Sequence, residues 1–405
     1  MIAAMLPRRP AHFLAAILAL TLAPQPAMAS AGPLAASVAV RFDRQTIRPV
    51  LTEGLADRRS LRPVTADDPV RIASISKLVA ALGVMRLVDR GVLDLDRDVS
   101  DYLGWPLRHP GFPQVPVTLR LLLSHQSGLT DGADYLIPLG ETLRGRLANP
   151  AAWDAAHAPG SGWFHYTNLN FPVVASVMER ATGERFDRLM MREVLRPLKL
   201  DACYNWSGCS PGKAARAVVL YRDTGEVAKD DLRGALPDCP VQLAEGASCD
   251  LSSYVPGWNG GLFSPQGGLR ISMRDLARIG QLLARGGKGF LSPASFAEMT
   301  RPQWRYDGSN GVGEDGDAGL FFCAYGLAVH RLGLAGKGCA DGLFADGAER
   351  IGHSGDAYGL HSGLWLDPAT GRGIAFFTSA VPPGDKGSRS AFTAREEALV
   401  DRAAR

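Results

Sequence analysis

Residues 71–78 read Arg71-Ile72-Ala73-Ser74-Ile75-Ser76-Lys77-Leu78 and lead into an apolar run that continues to Val88. Apolar residues recur at helical spacing along this run, so the pattern predicts a helix over residues 74–90 that ends at Gly91. In such a helix Ser74 lies in the first turn and Lys77 follows on the same face, with side chains about 5 to 6 Å apart. The stretch therefore predicts a serine hydroxyl beside a lysine amine.

A serine hydroxyl is a poor nucleophile until a neighbouring base takes its proton, and a partly desolvated lysine can be that base because burial lowers its pKa. The alternative is a serine that caps the helix, followed by an exposed lysine, and an isolated S-x-x-K favours this alternative. The same four-letter pattern recurs at Ser210-Pro211-Gly212-Lys213. There the Pro-Gly pair predicts a turn that does not hold a helical face. The pattern alone does not decide between the two interpretations.

The beginning of the chain has the features of a secretory signal. Of the 405 residues, 1–29 contain the positive pair Arg8-Arg9, an apolar segment over 13–22, and the small-x-small site Ala27-Met28-Ala29 before Ser30. The apolar segment is short for a membrane span, and an uncleaved anchor is the alternative. Removing Arg8 and Arg9 takes the formal net charge from +3 to +1. We expect a periplasmic or secreted chain of residues 30–405 that has no integral membrane span and binds no nucleic acid.

All six cysteines lie in the second half of the chain, which after a secretory signal indicates disulfides. Fifteen pairings are formally possible, and close spacing favours Cys203–Cys209, Cys239–Cys249 and Cys323–Cys339. Metal binding is the competing interpretation, but the cysteines form no C-x-x-C and the histidines are scattered. The acidic residues Asp94, Asp96 and Asp98 lack a glycine-bearing ligand loop, and we interpret them as a solvated turn. We expect neither a metal nor a cofactor.

Predicted strands cluster at the two ends of the chain. Residues 37–43 and 46–53 read as a hairpin, and residues 352–355, 361–366 and 373–379 read as strands. Predicted helices lie between them and at the end of the chain: 117–123, 171–182, 186–195, 275–284 capped by Ser272, and 390–404. The simplest α+β topology joins both ends in one antiparallel sheet, with a helical middle region as the other wall of a cleft. We place the sheet part at about 36–75 and 345–405 and the helical part at about 76–344.

Three polar clusters stand at predicted element boundaries: Ser74 with Lys77, Tyr166 with Asn168, and His353 with Gly355. Their order, S-x-x-K, then Y-x-N, then H-x-G, resembles that of serine hydrolases related to class C β-lactamases, which include penicillin-binding DD-peptidases, D-aminopeptidases and esterases. The resemblance spans residues 36 to 380. It implies a β-lactamase/transpeptidase-like α+β fold and no cofactor.

The resemblance also implies roles for individual residues. Ser74 is the acyl-accepting nucleophile, Lys77 its base, and Tyr166 a proton shuttle that requires cationic neighbours. Asn168 binds Lys77 and the substrate carbonyl. The oxyanion hole consists of the backbone N–H groups of Ser74 and Asp356. The third motif contributes three further substrate-binding residues: His353, Ser354 and Gly355.

The third motif departs from the lysine-threonine-glycine of many β-lactamases. A twin, His361-Ser362-Gly363, also occurs, and Gly352 ahead of His353 favours the first copy. A neutral histidine holds an anionic substrate less firmly than a lysine does. His125 is a weaker candidate because no acid is spaced to orient it.

We therefore expect hydrolysis of a small ester, amide or peptide through an acyl-enzyme on Ser74. The alternatives are a β-lactamase and a catalytically silent, penicillin-binding-like protein that binds cell-wall fragments. We expect residues 203–258 and 307–345 to shape the pocket. The substrate and the oligomeric state stay open.

Overall fold

The computed structural model describes residues 35–313, 321–334 and 338–405. The predicted signal sequence, residues 1–29, lies outside this part of the chain, as does part of the glycine-rich stretch that follows Asp307. Residues from Pro33 onward form one compact unit.

The described strands lie in several sheets, and the largest sheet dominates. In chain order they are β1 (Ser37–Phe42), β2 (Ile47–Glu53), β3 (Leu55–Asp57), β4 (Arg62–Pro63), β5 (Val70–Arg71), β6 (Arg108–His109), β7 (Phe112–Pro116), β8 (Phe164–His165), β9 (Cys203–Tyr204), β10 (Leu220–Tyr221), β11 (Val227–Lys229), β12 (Leu269–Ile271), β13 (Trp304–Arg305), β14 (Gly311–Val312), β15 (Ala324–Tyr325), β16 (His330–Leu332), β17 (Arg350–Ala357), β18 (Leu360–Asp367) and β19 (Arg372–Thr378).

Among the described residues the largest sheet has eight strands in the order β13-β15-β16-β17-β18-β19-β1-β2. β1 pairs antiparallel with β19, with Ser37 opposite Thr378, so the two ends of the chain meet in one sheet, as predicted. Three further strands, β13, β15 and β16, come from residues 304–332, inside the segment predicted to be helical. Strands of two or three residues are too short to show a period-2 pattern, which is why the sequence did not indicate them.

The helices are α1 (Ile75–Asp89), α2 (Val99–Leu103), α3 (Leu119–Leu123), α4 (Leu143–Leu147), α5 (Asn170–Thr182), α6 (Phe186–Met190), α7 (Pro211–Ala214), α8 (Met273–Ala284), α9 (Pro293–Thr300) and α10 (Ala394–Ala404). A π turn, Met191–Leu195, continues α6. The final helix begins at Ala394 rather than at residue 390. Thr393 and Glu396 form a reciprocal capping box at that point, which fixes where the helix starts.

Helix α1 is the centre of the molecule. It packs against β17 and β18 on one side and against α5, α9 and the π turn on others. Its residues are buried all round from Ile75 to Met85, as expected of a helix inside a large core rather than on a surface. The sheet and the helical region thus enclose the helix that begins after Ser74.

The three predicted disulfides are confirmed: Cys203–Cys209, Cys239–Cys249 and Cys323–Cys339. In the described ranges, no helix combines the length and the apolarity of a membrane-spanning segment. The same part of the chain shows no cluster of three or more histidine, cysteine or acidic residues that could hold a metal ion.

Candidate active site

Ser74 lies where β5 passes into α1. It is the one residue between Asp68 and Met85 that is not buried. The preceding residue, Ala73, has a φ of +48°, a conformation that L-residues with a side chain rarely adopt and that is often found at functional sites. Ser74 occupies the N-cap position of α1, but its side chain makes no capping hydrogen bond. The hydroxyl is therefore not used to cap the helix.

Lys77 is fully buried and its amine is next to that hydroxyl. The Nζ to Ser74 Oγ distance is 2.9 Å. Nζ also donates to Asn168 Oδ1 at 2.7 Å and to the carbonyl oxygen of Gln266 at 3.1 Å. The predicted pairing of hydroxyl and amine is thus present in the structure.

Asn168 is held in turn by Asp131, a residue that the sequence analysis did not identify. Asp131 Oδ2 accepts from both the backbone N–H and the side-chain Nδ2 of Asn168, each at 2.9 Å. Its other oxygen accepts from the Thr167 hydroxyl and, at 2.8 Å, from the Leu169 N–H. One carboxylate therefore fixes the whole turn that precedes α5 and aims the Asn168 carbonyl at Lys77.

Tyr166 completes the cluster from the same turn. Its ring centroid lies 5.0 Å from Lys77 Nζ. The ring stacks on Phe322 at 4.6 Å and lies 4.4 Å from the ring of His125. Packing against Phe322 and His125 leaves the ring little freedom, so it is held in a defined place beside Lys77.

His125 lies behind Tyr166 and is buried. Its Nδ1 accepts from the Thr167 N–H at 3.1 Å and lies 3.1 Å from Asn170 Nδ2. Burial, followed by the charge of Lys77, lowers the pKa of His125 well below its ordinary value. His125 thus supports the turn as a neutral ring.

His353 was expected to contact the substrate, but its ring lies inside the protein. Its ring is fully buried, with Nε2 2.6 Å from the Tyr325 hydroxyl and Nδ1 2.5 Å from the carbonyl oxygen of Ser354. Burial and then the charge of Lys77 lower its pKa well below the ordinary value. Both ring nitrogens are used inside the protein, so this geometry does not support the predicted substrate contact. Because its pKa is lowered, His353 is not one of the cationic neighbours that the role of Tyr166 requires.

The backbone after His353 approaches Ser74 closely. A methyl group on Gly355 would lie 2.3 Å from the carbonyl oxygen of Ile72 and 3.1 Å from the backbone nitrogen of Ser74. A glycine is therefore required for β17 to pass this near. Ser362, from the twin motif on β18, donates its hydroxyl to the Ile72 carbonyl at 3.0 Å and ties the strand to the loop before Ser74. Ser354 is buried beside these residues, whereas Asp356 is exposed at the end of the strand.

The second S-x-x-K forms one turn of helix, α7, and the prediction of a turn without a helical face was wrong. Proline is favourable at the first helical position, which allows the helix to begin there. Ser210 Oγ caps α7 by accepting from the Lys213 N–H at 3.3 Å. Lys213 Nζ pairs with Asp201 at 3.1 Å. The lysine therefore points away from the serine, and no hydroxyl–amine pair forms.

Ser210 also lies in Gly208-Cys209-Ser210-Pro211-Gly212, which has the G-x-S-x-G letters of an α/β-hydrolase nucleophile elbow. Such an elbow requires a strand that runs directly into the serine. Here β9 ends at Tyr204, and Cys209 is held in a disulfide. The structural context of that elbow is missing at Ser210.

Asp131 and Gln266 are the neighbours of the catalytic cluster that sequence reasoning missed. Asp131 lies 35 residues ahead of Tyr166 in the sequence, and no spacing pattern connects it to the turn that it holds. Gln266 contributes only its backbone carbonyl to Lys77, so its side-chain type carried no signal.

Comparisons with known proteins show the family and the fold. A family model described as Beta-lactamase matches residues 21–398. The chain is 31% identical to esterase EstB of Burkholderia gladioli over 268 residues, which cover 62% of this chain and 65% of EstB. It is 25% identical to penicillin-binding protein 4 of Amycolatopsis lactamdurans over 331 residues, which cover 73% of this chain and 79% of that protein.

Among solved structures, the D-amino acid amidase of Ochrobactrum anthropi SV3 matches with a TM-score of 0.63 and 18% identity, covering 92% of this chain and 93% of the amidase. At this identity the likeness shows a shared fold, the predicted β-lactamase/transpeptidase-like architecture. The chain spans just under two thirds of EstB's length and 32% of penicillin-binding protein 4* of Bacillus subtilis.

Proposed function

Because this chain belongs to the beta-lactamase family, we propose that it is an exported serine hydrolase that forms an acyl-enzyme on Ser74 and hydrolyses an ester or amide. The observation that carries the proposal is the 2.9 Å approach of Lys77 Nζ to the half-exposed Ser74 hydroxyl. A helix cap does not need a buried amine, whereas nucleophilic catalysis needs a base within hydrogen-bond reach. The three disulfides support export, since disulfides persist in oxidising compartments.

In the acylation step Lys77 acts as the neutral amine: Ser74 Oγ attacks the substrate carbonyl carbon and its proton passes to Lys77 Nζ. The carbonyl oxygen becomes negative and is stabilised by the backbone N–H groups of Ser74 and Asp356. Loss of one such donor typically costs about 3 to 4 kcal/mol of transition-state stabilisation. The bond to the leaving group then breaks, and Tyr166 supplies the proton that this group needs, recovering one from Lys77.

In the deacylation step a water molecule attacks the acyl carbon and gives its proton to Tyr166 or Lys77. The bond to Ser74 breaks, Oγ regains a proton, and the acid product leaves. Asn168 holds the amine of Lys77 in place throughout, and Asp131 holds Asn168. Every group that moves a proton in this scheme lies in the one cluster.

Covalent labelling tests the proposal. Incubation with a fluorophosphonate is expected to add one adduct to the wild-type chain, detected by intact-mass measurement, and none to Ser74→Ala. Ser210→Ala is the matched control and is expected to label like the wild type. An unlabelled wild-type chain that also turns over no ester contradicts the proposal and favours a silent binding protein.

A substrate panel ranks the reaction classes. A short-chain nitrophenyl ester, a chromogenic cephalosporin and a D-Ala-D-Ala peptide are assayed side by side with Ser74→Ala as the blank. We expect measurable ester turnover and weak lactam turnover, because a buried neutral His353 replaces the lysine that binds the lactam carboxylate in many β-lactamases. Fast cephalosporin hydrolysis would reverse this ranking and favour a β-lactamase.

A further inference from the structure

A cavity of about 320 Å³ adjoins the candidate active site. Three of its lining residues connect it to the catalytic cluster. Arg71 lies three residues ahead of Ser74, Ser264 lies in the loop that leads to Gln266, and Tyr358 follows Asp356 by two residues. The guanidinium of Arg71 is also near Gly267, since a methyl group there would lie 3.5 Å from Nη2 and 3.8 Å from the carbonyl carbon of Ala73. The cavity is therefore next to the loop that carries the nucleophile.

Arg71 is a buried cation without an ion-pair partner, although the nearby charge of Asp230 favours its charged form. Only 8% of the residue is exposed, and its guanidinium makes no hydrogen bond or ion pair to any residue in the described ranges. Its Nε is completely buried and unpartnered. Its one described contact of this kind is a cation–π contact with the ring of Tyr358, at 5.1 Å. A buried charge in this state is costly unless something supplies the missing negative charge.

The acidic residues of the cavity are already committed elsewhere. Asp230 accepts from Arg270 through both oxygens, at 2.8 and 3.1 Å, and from Trp206 Nε1 at 3.0 Å. Asp231 pairs with Arg59 at 3.2 Å and with Arg233 at 3.4 Å. Neither carboxylate forms an ion pair with Arg71.

A second positively charged side chain lines the same cavity. Lys229 lines the cavity, and its Nζ lies over the ring of Tyr358 at 5.6 Å, so the ring has Arg71 and Lys229 as neighbours. Burial, followed by the charge of Arg270, lowers the pKa of Arg71 to about 10, so the guanidinium stays charged at neutral pH. Two positive groups that share one ring favour an anion between or beside them.

The cavity walls are held in place by unusual backbone and by covalent links. The lining residues with positive φ are Asn205, Trp206, Asp230, Ser264 and Tyr358. The disulfide Cys203–Cys209 encloses two of them, and Cys239, which is bonded to Cys249, also lines the cavity. A binding pocket whose shape is preformed in this way loses little entropy when a ligand enters.

The direction of β17 indicates which part of a substrate reaches the cavity. His353 lies near Tyr166, with ring centroids 6.3 Å apart, and Tyr358 is five residues further along. Tyr358 lies in the turn that follows β17, which ends at Ala357. In the proposed mechanism Tyr166 serves the leaving group, which leaves the side of Tyr358 for the acyl group.

We propose that this cavity binds a carboxylate carried at the far end of the acyl group, with Arg71 as the main ligand and Lys229 as a second positive charge. The inference rests on the proposed function and names its substrate class: esters or amides of acyl groups that bear a terminal carboxylate. A guanidinium suits this task because its planar fork matches a carboxylate in a bidentate pair.

Matched esters test the inference. Mono-4-nitrophenyl adipate and 4-nitrophenyl hexanoate have the same leaving group and acyl length and differ in the terminal carboxylate. Arg71→Gln is expected to lower the ratio of their kcat/KM values, adipate over hexanoate, by at least about tenfold, as the loss of a charged hydrogen bond implies. Arg71→Lys is expected to restore part of the ratio. Arg41→Gln, which removes an exposed arginine on β1, is the control and leaves the ratio unchanged.

The outcomes separate the two claims. If both esters are turned over and Arg71→Gln leaves the ratio unchanged, the carboxylate inference is wrong and the proposed function stands. If the wild type turns over neither ester and Ser74 is not labelled, the proposed function fails and the inference fails with it. Should Arg71→Gln not fold, inhibition of the wild type decides: adipate is expected to inhibit with a Ki about tenfold below that of hexanoate, and equal values overturn the inference.

Discussion

Ser74 and Ser210 both stand at the N-cap of a helix, and both are followed three residues later by a buried lysine, yet the two regions differ in what the side chains contact. Ser210 caps its helix, and Lys213 pairs with Asp201. Ser74 does not cap its helix, and Lys77 donates to it while also binding Asn168 and Gln266.

The comparison shows that partners from elsewhere in the chain convert the pattern into a site. Burial lowers the pKa of Lys213 despite its pairing with Asp201, so burial of a lysine alone does not make a site. What differs is that Lys77 Nζ contacts Ser74, Asn168 and Gln266. Helix α7 is one turn long, and the Ser210 hydroxyl already accepts a hydrogen bond that caps it. The same four letters therefore give a structural element in one place and a candidate catalytic dyad in the other.

The largest expected difference between the two regions comes from the serines. Ser74→Ala is expected to lower kcat for a nitrophenyl ester by at least about 10⁴-fold, because the nucleophile is lost. Ser210→Ala is expected to keep kcat within about twofold and to lower the free energy of unfolding by about 1 kcal/mol, as the loss of a cap does. Ester assays and urea unfolding measure both. Comparable losses of kcat in the two variants would remove the distinction drawn here.

Substitutions of Lys77 and Lys213 give a second test of the difference between the two regions. Lys77→Met is expected to reduce kcat by about 10³-fold through loss of the base, and Lys77→Arg is expected to be similarly poor because arginine does not release its proton. Lys213→Met is the matched control and is expected to keep kcat, with a change in unfolding free energy within about 1 kcal/mol, since its partner Asp201 is largely exposed. A Lys77→Arg variant with near wild-type kcat would argue against the role of Lys77 as base.

Asp131 tests a feature that the Ser210 region lacks, namely a residue that positions a hydrogen-bond partner of the lysine. Asp131→Asn is expected to lower kcat about tenfold, because it removes charged hydrogen bonds to the Asn168 turn. KM is expected to change little, since Asp131 acts through Asn168 and not on the substrate. A circular dichroism melt serves as the control for folding. A rise in KM at constant kcat would instead place Asp131 among the substrate contacts.

The smallest expected effect on activity concerns the disulfide just before Ser210. Replacing Cys203 and Cys209 together with serine is expected to lower the free energy of unfolding by about 2 kcal/mol. We expect kcat for a neutral ester to stay within about twofold, because Ser74 and its partners lie outside this loop. The Cys239/Cys249 double serine variant is the comparison. Loss of ester turnover at a temperature where the Cys203/Cys209 variant is still folded would show that the two regions are coupled.

Much of the fold and part of the site were predictable from local pattern. The hairpin of β1 and β2, the buried helix α1, the turn before α5 and the pairing of cysteines close in sequence all follow from spacing and turn chemistry. The strands between Trp304 and Leu332 were not predictable, because they are too short to show an alternating pattern of apolar and polar residues. The place of His353 was not predictable either, because its burial depends on packing against Tyr325 and neighbouring rings.

The sequence by itself determined the order of the three motifs, the length of α1 and the presence of a serine and a lysine on one face of it. Tertiary structure alone decided which S-x-x-K has partners, since Lys77 binds residues 91 and 189 positions away. It also left Arg71 buried without an ion-pair partner beside the nucleophile, because Asp230 is taken up by Arg270. The physical reason is that helical periodicity depends on near neighbours, whereas burial and charge pairing depend on segments that meet only in the folded chain.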